Sequence, residues 1–235
     1  MAVFALLAGC SAALKPATAA ELQAVASTER GPITAAQTEL DSAKDTLSEL
    51  KAQVGAAERD VEIAEYRIRR ESADVEVARL RFEAAQETRD ADAMLPSRAE
   101  RERTAKALEI ANATLALEEA ELDHLEARID YRSAVVAVKE AELALAQVVA
   151  VQGDDASAKA VERRAAFDTE VADAKATMAA EKQTVARYRS LLEEAESAHD
   201  TVAGEADPID GSKEPGDDAT SEPEPELQPS EGSGS

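Results

Sequence analysis

The chain has 235 residues and a net charge of −23, with aromatic residues at 3% and no Trp. Its 44% of hydrophobic residues is therefore carried mostly by Ala, Val and Leu, which excludes a thick aromatic core and suits helices that meet along thin seams. No basic stripe or stacking aromatics are available for nucleic acid, and a single Cys excludes an intrachain disulfide.

The first residues form an uncharged apolar run, Ala2-Val3-Phe4-Ala5-Leu6-Leu7-Ala8-Gly9, followed by Cys10. Small residues at the end of such a run are the back half of a secretory signal, and the run is far short of the ~20 residues that cross a bilayer as a helix. The string Leu7-Ala8-Gly9-Cys10 resembles the lipobox of bacterial lipoproteins. The resemblance implies cleavage before Cys10, acylation of Cys10 as the lipid-attachment residue, and, with Ser11 next, export to the outer membrane facing the periplasm. Residues 1–9 are then the remnant of a signal peptide. No Lys or Arg precedes Cys10, so the signal is expected to begin upstream of Met1. Residues 10–31 are expected to form the lipid anchor and tether, with a short helix over 21–30. Gly31-Pro32 marks a boundary, Pro32 fitting a first helical position.

Between residues 33 and 203 the only Gly and Pro are Gly55, Pro96 and Gly153. So few breakers predict long helices, with Pro96 and Gly153 as dividers: helix 1 over 32–95, helix 2 over 96–152 and helix 3 over 153–203. Alternate steps of three and four residues through helix 1 pick out Ile33, Ala36, Leu40, Ala43, Leu47, Leu50, Val54, Ala57, Val61, Ala64, Ile68, Glu71, Val75, Ala78, Phe82 and Ala85. A 3.5-residue repeat held this long predicts a left-handed coiled coil. Glu71 is its one polar member, a candidate for fixing register with Arg69 or Arg70 as its counter-charge.

Helix 2 carries two seams. One runs Ile110, Ala113, Leu117, Ala120, His124, Ala127, Tyr131, Ala134, Val138, Ala141, Leu145 and Val148; the other is the seven-residue series Leu108, Leu115, Leu122, Ile129, Val136, Leu143. The series are offset by two residues, about 200° around a helix, so helix 2 should lie between two neighbours. Helix 3 supplies the second through Phe167, Val171, Ala174, Met178, Glu181, Val185, Tyr188, Leu192, Ala195, His199 and Val202. Short connections make consecutive helices antiparallel. The fold class expected is all-α, an elongated antiparallel coiled-coil bundle of two to three long helices. Residues 204–235 hold ten acidic residues, one Lys, five Pro and five Gly, and a disordered acidic tail is expected there because so polar a segment cannot offset its ordering entropy.

Sites for chemistry are sparse. His124 and His199 are far apart in sequence and lack the close Cys and His spacing of zinc sites; no Gly-rich phosphate loop exists; and Ala-rich seams enclose no pocket for a triad. The expectation is no catalytic residue, no metal, no cofactor and no small-molecule substrate. The expected partners are a membrane, through acylated Cys10, and other envelope proteins or a second copy, through the helix seams. Two roles compete: a lipid-anchored envelope spacer, scaffold or tether, similar to small coiled-coil envelope lipoproteins, and a helical accessory or adaptor subunit of a transport or efflux assembly, since Ala-rich antiparallel hairpins resemble those of TolC-type channels and their adaptors. The chain ends in Gly232-Ser233-Gly234-Ser235 rather than the terminal Lys of the peptidoglycan-linked type, so attachment to the cell wall by that route is not expected.

Overall fold

A computed structural model describes residues 17–27 and 30–205. The expected signal remnant, Cys10 and nearly all of the acidic tail lie outside the described residues. Four helices follow in order: α1 (Ala19–Ala24), α2 (Arg30–Thr88), α3 (Ala91–Gln152) and α4 (Ala158–Gly204). The chain is all-α over the described residues, as its periodicity requires. At 1.5 Å per residue, the 62 residues of α3 make a rod of about 90 Å.

The α2–α3 reversal is tighter than the sequence suggests and sits elsewhere. Pro96 was expected to divide the helices; instead it is the sixth residue of α3. The stop is at Arg89, which adopts φ 52°. Arg89 N–H donates to the Gln86 carbonyl (3.1 Å) and Asp90 N–H to the Ala85 carbonyl (3.2 Å), the paired bonds of a Schellman motif with Arg89 where Gly is more usual. Asp90 then caps α3 at once, its side chain accepting from the N–H groups of Asp92 and Ala93. As the sixth residue, Pro96 costs the helix one bond, the one a backbone N–H there would give to the Asp92 carbonyl, and the Ser97 hydroxyl donates to the Ala93 carbonyl at 2.7 Å in the same turn. Pro32 is likewise held in the first turn of α2, behind Gly31.

The second reversal is where glycine predicts it. Gly153 has φ 52° and ψ −126°, and Asp155 N–H donates to the Gln152 carbonyl at 2.9 Å. These are the marks of a type II′ turn, whose first central position favours Gly. Asp155 accepts from Ser157 N–H, and Ser157 caps α4. Arg164 reaches back from α4, donating to the Gly153 carbonyl (2.6 Å) and the Gln152 side chain (2.8 Å).

Burial follows the seams. Every seam position of α2, from Ile33 to Ala85, is buried or half-buried, and only Thr46 and Gly55 join them in that helix. Both series of α3 and the single series of α4 are sheltered in the same way. α3 packs along both α2 and α4, while α2 and α4 make no comparable contact with each other. The arrangement is three helices side by side with α3 in the middle, each interface a seam of its own, which is what the two apolar sides of α3 demand. Both Ala64 and Ala78 of α2 are essentially without exposure, so the small side chain lets the two backbones close together.

Candidate functional site

The end of the rod at which the described chain begins is built by α1, the start of α2 and the α3–α4 turn. α1 is brief but well capped. Thr18 accepts from Glu21 N–H, and the Glu21 carboxylate accepts from Thr18 N–H at 2.7 Å. These Thr18 bonds hold the Glu21 carboxyl below its ordinary range. α1 packs on α3, and Glu21 lies 4.0 Å from Arg163 of α4. Arg30 folds back from α2, donating to the Val25 and Gln23 carbonyls, and Val25 is buried. The segment leading to the rod is thus tied to α2, α3 and α4. Beside it, Pro32, Leu145, Ala146, Val149 and Ala150 line an open groove of about 590 Å³ rimmed by Glu142 and Asp154.

One charge ladder crosses all three long helices near this end. Lys139 of α3 donates to Glu39 of α2 (2.7 Å) and to Glu142 of α3 (2.9 Å), and Glu142 also pairs with Lys175 of α4 (2.8 Å). Lys175 first, and then Lys139, hold the Glu142 carboxyl below its ordinary range. Lys139 falls in a third column of α3 that includes Thr104, Ala111, Leu125, Arg132 and Ala146 and is wholly buried or half-buried. A pattern search that accepts only apolar members passes over this column, because charged members interrupt it. Its signal is the strict seven-residue spacing.

The polar seam residues occupy three separate places. Glu71 is the expected exception in the α2 seam: its side chain is only 14% exposed and is ion-paired with Arg70. His124 is half-buried on α3. Burial, and then the positive charges of Arg128 and Arg189, push its ring below the ordinary value near 6.5. His199 lies ten residues beyond Arg189, roughly 15 Å along α4, with its Nδ1 3.4 Å from Asp200. The two histidines are not brought together. Among the described residues no group of three or more His, Cys, Asp and Glu side chains is placed to hold a metal ion.

His124 gives a testable pH dependence. The folded pKa is lowered, so folding favours the neutral ring. Its contribution to stability is present above the unfolded value and is lost as pH falls below it toward the depressed folded value, because the unfolded chain takes up the proton first. Urea midpoints should therefore decline from about pH 7.5 to about pH 5.5, and His124→Gln should flatten that decline. An unchanged slope in the variant would remove His124 as its source.

No described helix is long and apolar enough to cross a membrane. No protein-family model, curated protein or solved structure matches the chain.

Proposed function

We propose that this chain is a lipid-anchored coiled-coil tether of the bacterial envelope, held in the outer membrane through acylated Cys10 with its rod facing the periplasm. The observation that carries the reading is the string Leu7-Ala8-Gly9-Cys10 placed directly upstream of a body made, over its described residues, of helices alone. Burial of acyl chains contributes about 0.8 kcal/mol per CH₂, so several chains on one cysteine hold a protein firmly at a bilayer. The docking of α1 at one end of the rod supports the same reading. Seven residues from Cys10 to Ala17 span at most about 25 Å, so a membrane attachment there acts on the end of the rod and not on its flank. A rod of about 90 Å with thin seams and a strongly acidic surface is suited to keeping two structures at a set distance.

The test is metabolic labelling with a fatty acid in a bacterial host, with the chain expressed behind its native upstream sequence, followed by membrane fractionation. The wild-type chain should carry label and sediment with membranes, whereas Cys10→Ala should carry none and leave the membrane fraction with its helical content intact. Label that persists in Cys10→Ala, or a wild-type chain that takes up none, overturns the proposal.

A further inference from the structure

α2 has a second seam that no part of the described chain covers. Ile63, Tyr66, Val77 and Leu80 are 52%, 69%, 45% and 51% exposed. They belong to one 3.5-residue series, Ala52, Ala56, Arg59, Ile63, Tyr66, Arg70, Ala73, Val77, Leu80 and Ala84, and every member is exposed. The series is offset by two residues from the inner seam (Val61 to Ile63, Val75 to Val77), about 200° around the helix. The same offset separates the two seams of α3, both of which are covered.

We infer that a second copy of this chain docks on the outer face of α2, helix to helix and antiparallel, centred between Glu71 and Ser72. The stripe is complementary to itself in that register. Ile63 falls opposite the partner's Leu80, and Tyr66 opposite the partner's Val77. Each arginine of the stripe meets a small residue, Arg70 opposite the partner's Ala73 and Arg59 opposite the partner's Ala84. In antiparallel coiled coils, flanking positions of the same kind face one another. Arg67 then faces the partner's Asp74, Arg69 the partner's Glu76, and Asp60 the partner's Arg81, which in the single chain pairs with Glu100. Glu62 opposite the partner's Glu83 is the one unfavourable pair. The stretch itself is nearly charge-balanced, unlike the chain as a whole at −23, so the general repulsion between copies is weakest here.

A parallel pairing also matches flanking charges, Glu62 with the partner's Arg67 and Arg69 with the partner's Asp74. It places Arg59 against the partner's Arg59 and Arg70 against the partner's Arg70 along the apolar line. Exposed flanking pairs contribute at most about 1 kcal/mol each, while like charges pressed together in a desolvated seam cost several. The antiparallel register wins. In it the two Arg30 positions lie about 125 Å apart, with the amino-terminal ends pointing in opposite directions, so two copies anchored in one membrane form it only with their rods lying along that membrane.

The test is sedimentation equilibrium of the full chain carrying Cys10→Ala, which removes any acyl contribution and makes the result independent of the anchor. A reversible dimer is expected. Arg67→Asp sets two like-charge pairs across the dimer and should raise its dissociation constant about tenfold. Adding Asp74→Arg to Arg67→Asp should restore it, since the exchanged charges face one another again. In the parallel pairing the double variant would instead be the weaker one, facing Glu62 and Arg69 of the partner. Arg67 and Asp74 are both exposed, and circular dichroism should show unchanged helical content. A monomer at every concentration, or a double variant weaker than the single, overturns the inference.

Discussion

Replacing Phe167 with alanine should detach α4 from the rod while the α2–α3 hairpin stays folded. Phe167 is 2% exposed, and the buried residues of α4 are Ala160, Phe167 and Val171, all in its amino-terminal half. Beyond Val171 the α4 seam is only half-buried. Phe167 shares a groove of about 380 Å³ with Ala137, Ala141, Ala144 and Ala174, flanked by Glu140 and Glu170, so no large apolar side chain of the groove is available to move into the space it would leave. Phe-to-Ala losses in packed sites run about 3–5 kcal/mol, and the low end suits a partly open groove. Because α4 packs on α3 alone among the long helices, that loss falls on a local opening and not on the whole fold. Hydrogen exchange should show α4 amides losing about two orders of magnitude of protection, with those of α2 little changed. Equal loss in α2 would mean the three helices melt as one unit, against the layered packing.

The seams were legible in sequence because one physical rule dominates a rod of this kind. A helix that buries a stripe over many turns must repeat it every 3.5 residues, and the sheltered positions from Ile33 to Ala85 and from Phe167 to Val202 obey that rule. Gly153 was legible for a similar reason, since its turn needs a backbone angle that other residues avoid. The α2 stop was not. It depends on Arg89 taking a left-handed conformation with no glycine to announce it, and on Asp90 capping α3 in the next step. Pro96 draws the eye instead, although α3 runs on through it. The cap did leave a trace, because Asp90 stands before Ala91 and Asp92 as an N-cap with an acidic first turn. The outer stripe of α2 is interrupted by Arg59 and Arg70, so a search for unbroken apolar heptads misses it. Cys10, the residue on which the proposed anchoring depends, lies outside the described residues and is known from sequence alone.

Enlarging Ala78 to leucine should destabilise the chain by about 3 kcal/mol, even though leucine is the more hydrophobic residue. Ala78 has no exposed surface and lies in the α2 seam between Val75 and Phe82. Helix axes pack 8–10 Å apart according to the side chains between them, and an alanine with no exposure marks the near end of that range. Three added carbons must push the helices apart or force strained rotamers, which costs roughly 1–3 kcal/mol and occasionally more. Extra apolar burial cannot offset this, because no space exists for it. Ala78→Gly should also lose stability, by about 1 kcal/mol, through helix propensity alone. The sign of the Ala78→Leu change distinguishes a tight seam from an unfilled one, and Ala78→Gly gives the scale of a change that leaves the helix spacing alone. Ala35→Leu, at an exposed position on the same helix, is the control and should stay within about 0.5 kcal/mol of wild type. Urea unfolding of the three variants reads the order directly. If Ala78→Leu raised the midpoint, the seam would contain room for larger side chains, and the prevalence of alanine there would need a cause other than close packing.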